Sequence, residues 1–450
     1  MGKLFGTDGV RGVANKDLTP ELAYRLGRAG AYVLALNKAH KPTILVGMDT
    51  RLSGPMLENA MIAGICSTGA TAVKVGVIPT PAIAYLTRKY EADAGVMISA
   101  SHNSFEFNGI KFFSDQGYKL LDETEELIEK LVTGDDSDIP YPVGEALGRV
   151  EVCETAADDY LEYLLAGVDC IFAGKKIVLD CANGASFAIA PRLFTMLGAA
   201  VIVIGNEPDG VNINKKCGST HLEGLAEKVV EVGADIGFAF DGDADRLLAV
   251  DEKGNVVDGD AIMSILAIQL KKQGLLLQDT LVVTIMSNMG VDIMAEKHGI
   301  KLAKTKVGDR YVLEEMLKSG YVLGGEQSGH VICLQDNTTG DGMLTAVKIA
   351  AAVCKEGKTL SELASVFKAL PQVLVNAKVR NELKYTYMED PDIKGMCDSL
   401  EQEFNGKGRV VIRPSGTEPL VRVMIEGEDK DYIRSKAEVL AALIESRLGV

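Results

Sequence analysis

Short apolar runs alternate with longer helical patterns along most of this chain, and this alternation restricts the possible folds more than any other feature. The pattern comes in three rounds, and the apolar residues at 55–70 have helical spacing in the first. The runs that predict strands lie at 43–49, 72–77, 94–101, 176–184, 200–205, 234–241, 280–288, 301–309 and 321–329. Strands that alternate with helices form α/β units around mixed, largely parallel sheets. We therefore predict three related α/β domains, although no strict sequence repeat accompanies them.

The pattern changes after about residue 370. Runs at 373–380, 409–416 and 420–428 predict strands, and 431–448 predicts a closing helix. Together they predict a smaller α+β domain of ordinary size. A polar stretch at 133–145 marks the first domain boundary. The expected domains are 1–150, 151–255, 256–370 and 371–450.

Charge and composition exclude several classes of protein. The 450 residues include 47 Lys and Arg against 63 Asp and Glu, a formal net charge of −16. Nucleic-acid binding and docking on an anionic membrane both need clusters of basic residues, so we expect neither partner. No run of 18 apolar residues is present, so no membrane-spanning helix is expected. Eight scattered cysteines without a CxxC pair indicate a reduced, cytoplasmic protein.

Three carboxylates follow the buried run at 234–241. The sequence DGDADR places Asp241, Asp243 and Asp245 in a tight loop. Three like charges are costly unless a cation neutralises them, and hard oxygen ligands indicate Mg²⁺ or Ca²⁺. An EF-hand loop would need glycine where Arg246 stands. We predict a Mg²⁺ site with phosphate nearby; a solvated acidic turn is the alternative.

Polar residues also follow the predicted strand at 94–101. The sequence SASHN (99–103) brings Ser101 next to His102, and Lys111 follows ten residues after Ser101. Ligands of open α/β sheets bind at the carboxyl ends of strands, so Ser101 is a candidate nucleophile. The alternative is a polar turn in which both residues only cap the strand, since adjacency in sequence says little about geometry.

Two later loops have the composition of binding loops. GGEQSGH (324–330) places Glu326, Ser328 and His330 on a flexible turn whose donors and acceptors suit sugar hydroxyls. RPSGTEP, followed by Arg422, combines two arginines with hydroxyls and backbone N–H groups, the components of a phosphate cradle. A polar turn and a solvated charged edge are the respective alternatives.

Two glycine-rich segments each carry one arginine. GTDGVRG (6–12) contains Arg11, and VGDRY (307–311) contains Arg310. Taken alone, each segment favours a structural role, because such turns are common. Taken with the other motifs, they follow a consistent order. Each predicted domain contains one of them: the nucleophile candidate Ser101, the carboxylate loop at 241–246, the sugar-type loop at 324–330 and the phosphate cradle at 413–419.

The sequence resembles the α-D-phosphohexomutase superfamily over essentially its whole length. GTDGVRG, SASHN, DGDADR, GGEQSGH and RPSGTEP match the superfamily's motifs in order. CGSTH (217–221) and Gln327 are typical of the bacterial branch that acts on glucosamine phosphates. The resemblance implies four domains in a heart shape around a central cleft.

The resemblance also implies a role for each motif residue. Ser101 would carry the phosphoryl group as phosphoserine, with Arg11, His102 and Lys111 lining the reacting centre. One Mg²⁺ ion would be bound by Asp241, Asp243, Asp245 and the phosphate on Ser101. The sugar would be held by Arg246, Arg310, Glu326, Ser328 and His330. The non-reacting phosphate would be held by Arg413, Ser415, Gly416, Thr417 and Arg422. Lys111 and His330 are the candidates for proton handling.

The implied activity is an isomerase reaction of amino-sugar and peptidoglycan-precursor metabolism. Glucosamine 6-phosphate and glucosamine 1-phosphate would interconvert, with a sugar 1,6-bisphosphate as intermediate and activator. The alternatives are a phosphomannomutase or phosphoglucomutase of the same superfamily, or a non-catalytic sugar-phosphate sensor. The expected partner is a small phosphosugar. A monomer and a homodimer both stay open, as does a separate kinase that primes the serine.

Three positions depart from the superfamily's pattern. Ser104 stands where proline is usual, Phe107 where an acidic residue is common, and Ala244 where glycine is usual. Without proline we expect a less rigid turn after the nucleophile, with changed rates or loop order rather than lost function. We also expect the cationic groups to converge into a basic interior, because the exterior is acidic and the substrate is an anion.

Overall fold

The computed structural model describes residues 4–6, 8–36, 38–134, 136–415 and 418–449. The chain forms two compact units. The first comprises Met1–Thr284 and Lys301–Val366, and the second comprises Ile285–Ile300 and Phe367–Val450. Within the described residues the first unit contains three sheets and the second contains one. None of the described helices is long and apolar enough to cross a membrane.

The first sheet has six strands. They are β1 (Val10–Val13), β2 (Thr43–Met48), β3 (Thr71–Val77), β4 (Ala94–Ile98), β5 (Phe107–Ser114) and β6 (Val150–Val152). The helices are α1 (Pro20–Leu34), α2 (Gly54–Ser67), α3 (Thr80–Lys89) and α4 (Asp122–Thr133). The strand order is β1-β5-β4-β2-β3-β6, and only β1–β5 and β4–β5 pair antiparallel. Every residue of β4 is buried, as expected for a strand covered on both faces.

The second sheet follows a connecting helix, α5 (Ala156–Ala166). Its elements are β7 (Lys176–Asp180), α6 (Ile189–Met196), β8 (Ala200–Ile204), α7 (Glu223–Val232), β9 (Ile236–Phe240), β10 (Leu247–Asp251) and β11 (Val256–Val257). The order is β11-β10-β9-β7-β8. Strands β8, β7 and β9 are parallel, and β10 turns back antiparallel to β9.

The third sheet has four strands. Along the chain come α8 (Gly259–Lys272), β12 (Thr280–Thr284), α9 (Gly290–His298), β13 (Lys301–Thr305), α10 (Asp309–Ser319), β14 (Leu323–Gly325), β15 (Val331–Cys333), α11 (Gly342–Glu356) and α12 (Leu360–Ala364). Helix α9 belongs to the second unit. The order is β13-β12-β14-β15, with only β14–β15 antiparallel.

The second unit is built on an antiparallel sheet. Its elements are β16 (Gln372–Lys378), α13 (Pro391–Phe404), β17 (Gly408–Pro414), β18 (Leu420–Gly427) and α14 (Lys430–Leu448), besides α9. The order is β16-β18-β17. Helices α13 and α14 pack their apolar residues, among them Ile393, Leu440 and Ile444, against this sheet.

The three sheets of the first unit share one feature that positions the predicted loops. In each sheet a parallel strand is followed by an antiparallel partner, as β4–β5, β9–β10 and β14–β15. The connections at 99–106, 241–246 and 326–330 contain SASHN, DGDADR and EQSGH. The repeat that is absent from the sequence is therefore present in the topology.

Some predicted strands were wrong in length. The run at 280–288 is a strand only to Thr284, and the run at 301–309 ends at Thr305, before α10 begins at Asp309. These runs continue past the sheet edge into polar loops, where the backbone hydrogen bonds of the ladder end.

Candidate active site

Ser101 lies in the β4–β5 connection, directly after the carboxyl end of β4. Its φ is +52°, in the left-handed region that few non-glycine residues adopt. Its N–H donates to Ser99 Oγ at 2.9 Å. Its hydroxyl donates to Asp241 Oδ2 at 2.6 Å, and His102 Nδ1 lies 3.3 Å from Ser101 Oγ. The unusual turn thus directs the serine hydroxyl toward the carboxylate loop.

A buried arginine holds the serine connection. The guanidinium of Arg51 is fully buried, and its Nε donates to Asp49 Oδ2 at 2.8 Å. Its Nη atoms donate to the backbone carbonyls of Ser101 at 2.9 Å, Asn103 at 2.8 Å, Phe107 at 3.1 Å and Ser104. The side chain of Asn214 adds a hydrogen bond to Ser101 O at 2.8 Å. This connection therefore has a side-chain restraint at the place where proline is missing.

Replacing Arg51 by lysine is expected to lower kcat by about 10²-fold and the free energy of unfolding by about 2–4 kcal/mol. A single ammonium group cannot serve Asp49 and four carbonyls, so buried acceptors lose their partners. Steady-state kinetics and chemical denaturation measure the two effects. Arg28→Lys is the matched control, because Arg28 is also buried and donates to Ile139 O at 2.8 Å and Asp136 Oδ2 at 3.1 Å. Equal losses of kcat in both variants would contradict a positioning role for Arg51.

The three aspartates of the β9–β10 connection form a buried group. Ligand oxygens of Asp241, Asp243 and Asp245 lie within 4.8 Å of one another. The Oδ1 atoms of Asp243 and Asp245 have no hydrogen-bond partner among the described residues. Burial, and then repulsion by Asp245 and Asp243, raises the pKa of Asp241 well above its usual range. Buried and unpartnered carboxylate oxygens at this spacing fit a hard metal cation.

Asp243 is held by two residues of the first sheet and its helices. Lys111 Nζ lies 2.9 Å from Asp243 Oδ2, 3.0 Å from Asp8 Oδ2 and 3.5 Å from Asp245 Oδ2. The Thr80 hydroxyl donates to Asp243 Oδ2 at 2.5 Å, and the Thr80 N–H donates to Asp243 O at 2.9 Å. Burial opposes ionisation of Asp243, but Lys111 and the hydrogen bond from Thr80 hold its pKa below the usual value.

Lys111 is a charged donor rather than a base. Burial disfavours its ammonium ion, but the neighbouring carboxylates of Asp243, Asp8 and Asp245 raise the pKa of Lys111 far above its usual value. Lys111 therefore stays protonated at neutral pH. In that state it can neutralise a phosphate and donate hydrogen bonds, but it cannot accept a proton.

The backbone of the carboxylate loop packs closely on its neighbours. A Cβ on Gly242 would lie 2.5 Å from Ser101 O, so only glycine fits there. Ala244 has a φ of +55°, which explains why glycine is usual at this position, and its carbonyl accepts the N–H of Gly342 at 3.0 Å. The three carboxylates stay together despite the alanine.

His102 is influenced by the charges of two arginines, Arg246 and Arg11. Arg246 Nε is 3.8 Å from Asp245 Oδ1, and Arg11 pairs with Asp8. Burial, and then the charges of Arg246 and Arg11, lowers the pKa of His102 to about 4. His102 is therefore neutral at pH 7, next to the Ser101 hydroxyl.

The sugar-type loop is oriented by the segment that precedes α10. Glu326 Oε1 accepts the N–H of Gly308 at 3.0 Å. His330 is buried, with its Nε2 3.5 Å from Asp309 Oδ2. Its Nδ1 has no hydrogen-bond partner in the described part of the chain. The side chain of Ser328 is exposed at the turn.

Gln327, the residue typical of the glucosamine branch, contacts the scaffold. Its Nε2 donates to Asp258 Oδ2 at 3.1 Å, and the other oxygen of Asp258 caps α8 by accepting the N–H of Ala261. The Gln327 side chain therefore fixes the loop to α8.

Arg310 is engaged by carboxylates on α4 and α10. Its guanidinium lies 2.5 Å from Asp122, 3.1 Å from Glu314 and 3.6 Å from Glu125. In this motif it is the preceding residue, Asp309, whose side chain approaches the sugar-type loop. A contact of Arg310 with substrate would require these ion pairs to open.

The charges of the first unit's site are mixed, so the expectation of a basic interior is wrong there. The carboxylates are Asp8, Asp241, Asp243, Asp245 and Asp309, and the cations are Arg11, Lys111, Lys119 and Arg246. The motifs that supply the cations also supply acids that pair with them. A divalent cation bound at the three aspartates would shift this balance toward positive charge.

The second unit carries the predicted phosphate residues. Arg413 of β17 lies opposite Arg422 of β18, and burial followed by the charge of Arg422 lowers the pKa of Arg413. The Nε atoms of both arginines have no hydrogen-bond partner within the described residues. Like charges directly opposite are unfavourable, which fits a pair that binds an anion. Ser415, two residues after Arg413, is buried. Gly416 and Thr417 lie outside the described residues.

Several positioning residues are absent from the sequence-based predictions. They are Asp8, Arg51, Thr80, Lys119 and Asp309. Asp8 lies in GTDGVRG and Asp309 in VGDRY, and for both motifs the prediction named only the arginine. These two aspartates could therefore have been identified from the sequence. The roles of the other three depend on contacts with distant parts of the chain, and no local pattern indicates them.

Four domain models of one family match the chain in order. They are described as phosphoglucomutase/phosphomannomutase alpha/beta/alpha domain I at residues 2–138, domain II at 158–254 and domain III at 258–370, and the C-terminal domain at 374–443. The fold is thus that of the phosphoglucomutase/phosphomannomutase family. The predicted fold class, three related α/β domains followed by an α+β domain, is confirmed.

Comparison with individual proteins shows which members of this family are similar to the chain. A phosphoglucosamine mutase of Ruminiclostridium cellulolyticum is 62% identical over 449 residues, which cover 100% of both chains. A phosphoglucomutase/phosphomannomutase family protein of Burkholderia thailandensis has a TM-score of 0.83 at 22% identity, covering 99% of this chain and 97% of its own. Aspergillus fumigatus N-acetylphosphoglucosamine mutase, solved with GlcNAc-6P and magnesium, has a TM-score of 0.70 at 19% identity, covering 98% and 95%. The chain belongs to the phosphoglucosamine mutase family. The resemblance and the isomerase class expected from sequence are confirmed.

Proposed function

We propose that the chain interconverts glucosamine 6-phosphate and glucosamine 1-phosphate through a phosphorylated Ser101. The main support is the position of the Ser101 hydroxyl, which lies 2.6 Å from Asp241 Oδ2, and Asp241 belongs to a buried group of three carboxylates. The protonated Lys111 lies 2.9 Å from Asp243 in the same group. A hydroxyl, a metal-type site and a fixed cation are the components that phosphoryl transfer needs.

The proposed reaction consists of two phosphoryl transfers. In the first, the bond between phosphorus and Ser101 Oγ breaks, and phosphorus bonds to the free hydroxyl oxygen of the sugar. The sugar hydroxyl loses its proton to a base, and Ser101 Oγ recovers a proton. The 1,6-bisphosphate then turns end to end, and the second transfer returns the other phosphoryl group to Ser101. The enzyme ends as it began, with the phosphate moved between the C6 and C1 oxygens.

Asp241, Asp243 and Asp245 would hold one Mg²⁺ ion together with the phosphate on Ser101. The two carboxylate oxygens without hydrogen-bond partners among the described residues support this assignment. When bound, the ion would neutralise charge on the transferring group. The Aspergillus protein was solved with magnesium, but at 19% identity it supports the fold alone, so the proposal depends on the carboxylates.

The remaining roles are proposed from the contacts of each side chain. His330 is the proposed proton carrier on the sugar side, because Nδ1 is its nitrogen away from Asp309. Glu326 and Ser328 would bind sugar hydroxyls, and Lys111 would neutralise phosphate without accepting a proton. Arg11, His102, Arg246 and Arg310 keep the roles predicted from the resemblance.

Other parts of the proposal depend on the sequence. Binding of the non-reacting phosphate is assigned to Arg413, Ser415, Gly416, Thr417 and Arg422. A bisphosphate activator, the domain limits given above, a monomer or homodimer and a priming kinase stay predictions. A reducing compartment such as the cytoplasm is supported by the eight cysteines, all within the described residues and all free.

The purified chain is expected to show a kcat/KM for glucosamine 6-phosphate at least about tenfold above those for glucose and mannose 6-phosphates, since one discriminating contact contributes about that much. The panel is measured with Mg²⁺ and a sugar 1,6-bisphosphate present, and a chelator should abolish the activity until Mg²⁺ is restored. A preference for mannose or glucose 6-phosphate would indicate the phosphomannomutase or phosphoglucomutase alternative. Absence of both turnover and a detectable serine phosphate would favour the sensor.

A further inference from the structure

A half-buried lysine contacts two carboxylates, one in the GTDGVRG motif and one in the VGDRY motif. Lys119 Nζ lies 2.5 Å from Asp8 Oδ1 and 2.5 Å from Asp309 Oδ2. The exposed fractions of these side chains are only 13% for Lys119, 19% for Asp8 and 16% for Asp309. We call Asp8, Lys119 and Asp309 the Lys119 bridge.

One end of the Lys119 bridge contacts the phosphoryl-transfer residues. The second oxygen of Asp8 lies 3.0 Å from Lys111 Nζ and also pairs with Arg11. Lys111 in turn contacts Asp243 at 2.9 Å. Lys111 therefore connects Asp8 to Asp243, so a shift of Asp8 would also disturb Asp243 in the group of three aspartates.

The other end contacts the sugar-type loop. Asp309 Oδ2 lies 3.5 Å from His330 Nε2, and the N–H of the preceding residue, Gly308, donates to Glu326 at 3.0 Å. The same short segment thus contacts Glu326 and His330, two of the residues predicted to hold the sugar. Alternating charges run without interruption from Asp243 through Lys111, Asp8 and Lys119 to Asp309, whose carboxylate lies next to His330.

The ionised state of the bridge is favoured by its neighbours. Burial opposes the charge on Lys119, but Asp309 and Asp8 raise the pKa of Lys119 above its usual value. Burial also opposes ionisation of Asp309, but Lys119 and His330 lower the pKa of Asp309. Stability alone is a weak reason for such a half-buried triad, because a well-packed apolar group of similar size is often as stable. Moreover, the two carboxylates of the bridge contact predicted site residues, Lys111 at one end and His330 at the other.

We propose that Lys119 is a positioning residue that acts through Asp8 and Asp309 to fix the sugar-type loop relative to the phosphoryl-transfer residues. The inference rests on the proposed function. Such a link matters when a bisphosphate turns in the site, because each of its ends must meet Ser101 while the sugar stays bound. A loosened loop would release the intermediate before the second transfer.

Asp309→Asn is the primary test, because it keeps the shape and leaves Lys119 paired with Asp8. We expect an increase of about tenfold in KM for glucosamine 6-phosphate and in the glucose 1,6-bisphosphate concentration needed for half-maximal activity. The kcat at saturation should fall less than about threefold. Calorimetry should show a similar weakening of glucosamine 6-phosphate binding to the dephosphorylated protein. Lys119→Met should give a larger loss, but it removes the cation that Asp8 and Asp309 share and so also threatens folding.

The matched controls are Asp336→Asn and Lys348→Met, which break an ion pair of 3.0 Å outside the Lys119 bridge. They should leave KM, binding and activator requirement unchanged. Wild-type values of KM, binding affinity and activator requirement in Asp309→Asn would overturn the proposal, and so would equal effects in the controls. If wild type binds glucosamine 6-phosphate without turning it over, the proposed function fails. The binding data on Asp309→Asn then still decide the role of the bridge.

Discussion

Asp243→Asn is expected to lower kcat by about 10²–10³-fold while the chain stays folded. The substitution removes one of the three charges that would hold the metal ion, and it removes the charge that Lys111 neutralises at 2.9 Å. Asparagine keeps the side-chain shape and can still accept the hydrogen bond from Thr80. The loss should therefore be electrostatic. It is measured as kcat over a Mg²⁺ titration, with circular dichroism and thermal melting to report folding.

A neighbouring carboxylate provides the control for this experiment. Asp251 is buried in β10, in the same hairpin, and accepts the backbone N–H groups of Lys253 and Asn255 at 2.9 and 2.8 Å. Asp251→Asn should alter stability and leave the Mg²⁺ dependence of kcat unchanged. A wild-type rate for Asp243→Asn at limiting Mg²⁺ would remove Asp243 from the metal site.

The sequence predicted the positions of the two connecting loops after β4 and β9, because buried strands and polar turns have local signatures. The runs before Ser101 and Asp241 are apolar at every buried position, so the ends of β4 and β9 could be located to within a few residues. The run at 321–329 could not be resolved in this way, since β14 covers only Leu323–Gly325. A strand of three residues is too short for its hydrophobic pattern to show where it begins and ends.

The sequence could predict only some of the pairings between charged side chains. Arg11 and Arg310 were selected as cations for the substrate, whereas Arg11 pairs with Asp8 and Arg310 is engaged by carboxylates on α4 and α10. Asp8 lies three residues before Arg11 in the same motif, so that pairing could have been inferred from the sequence. The pairing of Arg310 with Asp122 depends on how α4 and α10 pack, which no local window of sequence contains. The same reason applies to Arg51, whose partners are mainly backbone carbonyls.

Ser101→Ala is expected to abolish turnover, with a loss of at least about 10⁴-fold, because no other group can carry the phosphoryl group between the two transfers. Folding should be unaffected. Arg51 and Asn214 bind the carbonyl of Ser101 and not its side chain, and alanine meets the same φ of +52° as serine does.

The matched control is Ser104→Ala, in the same connection, where Arg51 contacts only the backbone carbonyl. This variant should keep a kcat within about threefold of wild type and should still take up phosphate from glucose 1,6-bisphosphate, as measured by intact mass. Ser101→Ala should take up none. Phosphate on the Ser101→Ala protein, or turnover within about tenfold of wild type, would mean that another residue is the carrier. The buried contact between Ser101 and Asp241 would then be structural.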